Sequence, residues 1–165
     1  GPVDRGGDPG VAEVIETKSG DSAGIIQCEK PINDGPGHWV LKAAIAALDN
    51  WIRTGEPAPS AQPIVRDAAS TGLQRDQYGN AVGGVRTPYV DAPVATLTGG
   101  GQTGSSFCFL FGTTALFDEA TFSTLYPTRE AYIDAIDTTT DSAVEKGFVL
   151  PEDGELIKAQ ARSSE

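Results

Sequence analysis

The clearest hydrophobic pattern in the chain lies in the segment Gly37–Thr54, where apolar side chains recur every three or four positions. This spacing places them along one side of an α-helix. The apolar positions are Val40, Leu41, Ala44, Ile45, Ala47, Leu48, Trp51 and Ile52. Gly55 suits the residue that ends the helix, and Pro57 prevents its continuation. Because the apolar arc is broad and rich in alanine, we expect this helix to pack closely against a sheet, with the Trp51 ring buried.

Short extended segments and turns surround this helix. The predicted extended segments are residues 11–15, 24–27, 64–66, 73–75 and 85–97. Pro88 and Pro93 interrupt the last of them and exclude a fully paired central strand. The composition of residues 76–80 is typical of a turn. The aromatic residues 105–111 are predicted to be buried.

The last third of the chain is predicted to form three helices. Asp118 suits the N-cap of the first helix, and Thr128 suits the N-cap of a second helix that ends at Gly147. Pro151 suits the first residue of the third helix, where Glu152 and Asp153 favour the positive end of the helix dipole. Together with the first helix and the short strands, this pattern predicts a helix-rich α/β fold with short, irregular strands.

The length of 165 residues suits one domain, and the hydrophobic fraction of 39% suffices for a packed core. We expect that domain to span residues 11–165, after a mobile leader over residues 1–10 that carries the remnant of an expression tag. The net charge of −11 opposes binding to nucleic acid and to anionic membranes. No apolar run is long enough to predict a membrane span.

Cys28 and Cys108 lie 80 positions apart, which is too far for a metal knuckle. Two cysteines are also too few for a disulfide scaffold. Two interpretations stay open: one disulfide in an exported protein, or two buried thiols. Proximity of the two residues is expected, because each precedes a turn-rich stretch that leads to a predicted core element.

Candidate chemistry is sparse. His38 is the one imidazole in the sequence, and it is the candidate catalytic base, with a structural role at the helix start as the alternative. The glycines at positions 99, 101 and 104 match a dinucleotide fingerprint in spacing, but an aromatic run follows where a helix should begin. The sequence therefore predicts no cofactor and no metal site. We expect no strand-to-helix nucleophile elbow in this chain, although residues 20–24 (GDSAG) have the G-x-S-x-G spacing.

Several motifs resemble the C-terminal portion of the α/β hydrolase domain-containing family of serine hydrolases. They are PINDGPGHW at 31–39, KAAIAALDNWIRTGEPAP at 42–59, DQYGNAVGGVRTPYVDAP at 76–93, FCFLFG at 107–112, LYP at 125–127 and GFVLPED at 147–153. The resemblance covers roughly residues 13–161. It implies ester hydrolysis through an acyl-enzyme in the whole family enzyme, with the serine nucleophile and an acid upstream of the region matched here.

The resemblance also implies that the catalytic histidine belongs to an E-V-A-G-T-x-H-A-D stretch, which the sequence EVIETKSGD at 13–21 echoes with Ser19 in the place of the histidine. A hydroxyl does not replace imidazole as a base near neutral pH. We therefore expect the C-terminal part of a hydrolase that is not catalytic alone, and its partner is either an upstream hydrolase half or a second copy. The alternatives are a non-catalytic binding or structural module, which uses residues 78–117 as its contact surface, and an esterase in which His38 is the base.

Overall fold

The part of the chain that the structure describes is rich in helix and carries only short strands. The structure is a computed structural model, and it describes residues 21–22, 26–67, 72–104 and 106–163. In chain order the elements are β1 (Asp21–Ser22), β2 (Ile26–Gln27), α1 (Gly37–Thr54), α2 (Pro88–Asp91), β3 (Ala95–Thr98), a 3₁₀ helix (Ser106–Leu110), β4 (Thr113–Leu116), α3 (Glu119–Leu125), α4 (Arg129–Glu145) and α5 (Pro151–Ser163). The predicted leader over residues 1–10 lies outside the described residues.

Helix α1 has the predicted bounds. Its C-terminal end is closed by Gly55, which takes φ +79° and donates its backbone N–H to the Trp51 carbonyl at 2.8 Å. A residue with a side chain would be strained at this angle, so glycine ends the helix here.

The strands form two small antiparallel sheets within the described residues. β1 pairs with β2, and β3 pairs with β4 so that Ala95 lies opposite Leu116. The predicted extended segments 64–66 and 73–75 meet in a single bridge between Arg66 and Leu73. The predicted strand over residues 11–15 lies outside the described residues.

The prediction of an extended segment over residues 85–97 was wrong at its centre, where helix α2 forms. Pro88 is the first helical residue, a position at which its missing N–H costs no hydrogen bond. The helix is short because Pro93 lies immediately beyond it. Only Ala95–Thr98 pairs as a strand, after both prolines have passed.

The three C-terminal helices confirm the prediction. The backbone N–H of Thr121 donates to the Asp118 carboxylate at 2.8 Å, and that of Ala131 donates to the Thr128 hydroxyl at 3.2 Å. Gly147, at φ +73°, follows the end of α4. These three local signals set the helix ends because they depend on neighbouring residues and not on the rest of the fold.

The core lies where α4 packs against α5 and against α2, and Ala95 of β3 belongs to the same buried cluster. Its buried side chains are those of Trp39, Tyr89, Ala92, Val94, Ala95, Tyr126, Tyr132, Ile136, Ala143, Val149, Ile157 and Ala161. Gly154 allows α4 and α5 to approach closely, since a Cβ at this position would lie 2.8 Å from the Val144 side chain. The core is therefore centred on the C-terminal helices and not on a sheet.

The expectation that α1 packs against a sheet with Trp51 buried was wrong for the described structure. Trp39 and Ala43 are its buried residues, whereas the Trp51 side chain is 51% exposed. The aliphatic side chains on the other side of the helix are also exposed, and we call them the outer stripe: Leu41, Ile45, Leu48 and Ile52. The two small sheets of the described residues do not cover this stripe.

Residues 106–110 also depart from the prediction, because most of their apolar side chains are exposed. Cys108 is fully buried in a disulfide with Cys28, and the two Cα atoms lie 5.5 Å apart. The structure thus decides between the two interpretations of the cysteines in favour of a bridge, and it confirms their proximity. We call the 3₁₀ helix Ser106–Leu110 the apolar turn. The disulfide at Cys108 holds it at its middle residue.

Candidate functional site

His38 lies in the first turn of α1, after the segment Asn33–Gly37 has bent the chain into the helix. Within that bend the backbone N–H of Gly35 donates to the Asn33 side-chain oxygen at 2.9 Å. The His38 side chain is exposed, and its ring contacts the neighbouring Trp39 ring at a tilt of 45°, with 4.1 Å between centroids. Among the described residues, no hydroxyl or carboxylate is hydrogen-bonded to this imidazole. The structure thus places the predicted base at the surface, without a described nucleophile or orienting acid.

Trp39 joins α1 to the core. Its indole Nε1–H donates to the Tyr89 hydroxyl at 3.4 Å, and both rings are buried. The Lys42 ammonium lies 4.7 Å from the centre of the Trp39 ring, within range of a cation–π interaction. Burial raises the pKa of Tyr89 above its ordinary value, because a phenolate at this position would lose its hydration.

A buried carboxylate completes the contact between α1 and α5. Lys42 Nζ lies 2.8 Å from Asp153 Oδ1, and the side chain of Asp153 is only 3% exposed. The second oxygen, Asp153 Oδ2, is buried without a hydrogen-bond partner. A buried carboxylate is costly unless it is paired, so loss of the Lys42 ammonium would leave Asp153 as an unpaired buried charge.

The Lys42–Asp153 pair was missed by the sequence analysis, which assigned Asp153 only a favourable position near a helix N-terminus. The two residues are 111 positions apart, and nothing in their local sequences connects them. The signal that links them is the fold itself. This cluster attaches α1 to α5, and it brings no described nucleophile to the His38 ring.

The outer stripe lies on the side of α1 opposite to these contacts. At roughly 3.6 residues per turn, its four side chains lie about half a turn around the helix axis from Trp39 and Ala43. Their exposed fractions run from 50% at Leu48 to 76% at Ile52. The helix therefore presents its larger aliphatic side chains to solvent and Trp39 and Ala43 to the core.

Other kinds of site are not found in the described part of the chain. Residues 21–22, 26–67, 72–104 and 106–163 contain no group of three or more His, Cys, Asp or Glu side chains arranged to hold a metal. None of their helices has the length and apolar character that crossing a membrane requires. Residues 13–20, which include Ser19, lie outside the described residues, so the role assigned to that stretch stays a prediction.

The comparison with protein families identifies the class of protein to which these elements belong. The model of the family described as Alpha/beta hydrolase domain matches residues 5–159. The chain therefore belongs to the α/β hydrolase domain family. No curated protein and no solved structure matches the chain.

Proposed function

We propose that this chain is the C-terminal, non-catalytic part of a serine ester hydrolase, and that it functions by joining the part that carries the nucleophile. The observation that supports this most strongly is the outer stripe of α1. A helix of an α/β protein normally buries its larger apolar side chains against a sheet. In α1 those side chains face solvent, although the helix is fastened to the core on its other side.

The chemistry of ester hydrolysis also supports a non-catalytic role for this chain. Acyl transfer needs a nucleophile, a base within hydrogen-bonding reach and an oxyanion hole. The G-x-S-x-G spacing occurs at residues 20–24, but Asp21–Ser22 pairs as a strand with Ile26–Gln27 and does not lead into a helix, as a nucleophile elbow requires. The one imidazole belongs to His38, whose ring contacts Trp39. These functions are supplied, in this proposal, by the upstream part.

Covering the outer stripe would stabilise such an assembly. Full burial of a Leu or Ile side chain is worth about 1.5–3 kcal/mol relative to full exposure. The four side chains are half to three-quarters exposed, so a partner could still gain roughly 4–7 kcal/mol from them as an upper estimate. Much of that gain is available to an apolar sheet face, which packs against a helix through side chains of this type.

The first test compares ester cleavage by this chain with cleavage by the complete product of its native gene, with short p-nitrophenyl esters as substrates. We expect no turnover by the chain and turnover by the complete product, which Ser→Ala at an upstream G-x-S-x-G abolishes. Turnover by the chain that disappears in His38→Ala would establish the esterase with His38 as base. A complete product that has no upstream serine motif, or that cleaves no ester, would favour the non-catalytic binding module.

A second test compares the size of one stability loss in this chain and in the complete product. In this chain Leu48→Ser should cost less than about 1 kcal/mol, because the side chain is already half exposed. In the complete product the same change should cost about 2–4 kcal/mol, since it would leave a cavity under a covering sheet. Leu156→Ser is the matched control, because Leu156 is similarly exposed on α5. Equal costs for Leu48→Ser in both proteins would contradict the proposed docking.

A further inference from the structure

Helix α1 is attached to the core by few side chains for its length. Of its 18 residues, Trp39 and Ala43 are buried, and Trp39 is the member of α1 in the described core cluster. The residues from 44 to 54 are exposed apart from Ala47 and Asn50, which are half-buried. An element with few buried apolar contacts belongs to the part of a protein that opens most easily.

The bonds that attach α1 lie in its first two turns. The Trp39 indole donates to the Tyr89 hydroxyl at 3.4 Å, which is long for a hydrogen bond. One turn further on, Lys42 Nζ lies 2.8 Å from Asp153 Oδ1. The attachment to α2 and α5 therefore depends on two side-chain bonds and on the packing of the Trp39 ring.

In the last turns of α1 the polar side chains bind within the helix. Arg53 pairs with Asp49 at 2.6 Å, and the Thr54 hydroxyl donates to the Asn50 carbonyl at 2.8 Å. Such bonds support the helix without joining it to the core. The second half of α1 thus adds little to the attachment.

The chain is fixed to the rest of the domain on both sides of α1. Before the helix, the side-chain amide of Asn33 donates to the Thr98 carbonyl at 2.9 Å. After the helix, the Gln62 carbonyl accepts the backbone N–H of Gly84 at 2.9 Å. A detached α1 would therefore stay tethered at both ends, and the segments 34–37 and 55–61 would absorb the change of direction.

The Lys42–Asp153 pair is asymmetric, and this makes it suited to be a latch. The Lys42 side chain is 52% exposed, whereas that of Asp153 is 3% exposed. The ammonium can therefore exchange its bond for water at little cost, but the carboxylate depends on the ammonium as long as it stays buried. Once α1 moves away, water can reach the carboxylate on the side where Lys42 lay.

We infer that α1 is a latched strap, which detaches from the core as a unit while the rest of the domain stays folded, and that the Lys42–Asp153 pair is its latch. Detachment frees the Tyr89 hydroxyl and the Asp153 carboxylate from their α1 partners, and it changes the direction in which the outer stripe points. Because it concerns this chain alone, the latch is independent of the proposed function.

Hydrogen exchange of single amides, followed by NMR, compares the opening of α1 with the opening of the core. The amide of Ala43 reports on α1 and that of Ile136 reports on α4, since both lie inside helices. A detached helix of this length is only marginally stable in water, so detachment exposes its amides to exchange. In the unmodified chain we expect protection at Ala43 to be at least about tenfold lower than at Ile136.

Substitutions in the pair test the latch. Lys42→Gln should lower the protection of Ala43 by a further factor of about ten or more and change that of Ile136 by less than about twofold, because Asp153 would be unpaired only while α1 is docked. Lys42→Gln combined with Asp153→Asn should restore most of the lost protection, since a neutral amide at position 153 needs no opposite charge.

Arg53→Gln is the matched control, because it removes another cation from the same helix. Its partner Asp49 is 63% exposed and also belongs to α1, so this pair does not join the helix to the core. Arg53→Gln should change the protection of Ala43 by less than about twofold. A loss as large as that of Lys42→Gln would overturn the assignment of the latch.

Acrylamide quenching of Trp39 distinguishes detachment from fraying of the helix in place. The chain contains two tryptophans, so Trp51→Phe makes Trp39 the one tryptophan that fluoresces. In this background Lys42→Gln should make Trp39 more accessible to the quencher. Faster exchange in α1 with an unchanged, shielded Trp39 would overturn detachment as a unit.

Two further results would overturn the inference. Equal protection of Ala43 and Ile136 in the unmodified chain would mean that α1 opens only with the whole domain. A loss of protection in Lys42→Gln that both amides share would make the pair a contributor to global stability and not a latch. A Lys42→Gln chain that does not fold counts as such a shared loss.

Discussion

Tyr132 is a buried residue whose hydroxyl has no hydrogen-bond partner in the described structure, although the residue is only 4% exposed. Its ring packs edge-on against Tyr126 with 5.2 Å between centroids. The Tyr126 hydroxyl, by contrast, donates to the Pro93 carbonyl at 3.1 Å. Of these two neighbouring phenols, only Tyr126 has a hydrogen-bond partner for its hydroxyl among the described residues. Phe substitutions at the two positions therefore form a matched pair.

The expected effects have opposite signs. A buried polar group without a partner costs about 1–3 kcal/mol, so Tyr132→Phe should stabilise the chain by roughly 0.5–1.5 kcal/mol after the small void left by the oxygen is subtracted. Tyr126→Phe removes a satisfied hydrogen bond and leaves the Pro93 carbonyl without it, so it should destabilise the chain by about 1–2 kcal/mol. The structure therefore predicts that Tyr132→Phe has a higher free energy of unfolding than Tyr126→Phe.

Urea unfolding of this chain, followed by circular dichroism, measures both free energies of unfolding. The slope of the free energy against urea concentration should be the same in both variants, because neither change alters the surface exposed on unfolding. A loss of more than about 1 kcal/mol in Tyr132→Phe would mean that its hydroxyl has a partner, such as a buried water. Equal effects at both positions would refute the placement of the Tyr126 hydrogen bond.

Three further predictions follow from burial and covalent structure. Trp39→Ala should cost about 3–5 kcal/mol because the ring is buried, whereas Trp51→Ala should cost about 1 kcal/mol because the ring is half exposed. Urea unfolding measures both free energies, and equal costs would contradict the orientation of α1. Burial raises the pKa of Tyr126 and Tyr132, so the unfolded chain loses these protons near pH 10 before the folded chain does. Stability should therefore be independent of these groups below about pH 10 and fall above it, as tyrosinate absorbance appears; stability that rises above pH 10 would contradict this. Reduction of the disulfide should lower the free energy of unfolding by about 2–4 kcal/mol, since it releases a link across 80 positions, and an unchanged urea midpoint would show that the link is not formed in solution.

The elements that local sequence could predict are those whose ends depend on neighbouring residues. Asp118 and Thr128 act as N-caps, and Gly55 and Gly147 follow helix ends, as the sequence indicated. The secondary structure of segments with prolines was harder to predict. Pro88 is compatible both with an extended segment and with the first position of a helix. Local propensity alone did not separate these two states.

The candidate site was predicted only in part. His38 was identified from the residue type alone, and its catalytic role stays a prediction. The Lys42–Asp153 pair could not be predicted, because a contact across 111 positions depends on how α1 and α5 approach each other. The exposure of the apolar turn could not be predicted either. An aromatic run favours burial, and only the disulfide and the neighbouring backbone contacts show that its side chains point outward.

The sequence by itself determined the family and the positions of the long helices, because these depend on residue identity and on spacing along the chain. Only the tertiary structure decided which side of α1 faces the core. The helix carries apolar residues around more than half of its circumference, so the pattern allowed either side to be buried. The contacts of Trp39 with Tyr89 and of Lys42 with Asp153 selected one side, and the outer stripe was left exposed.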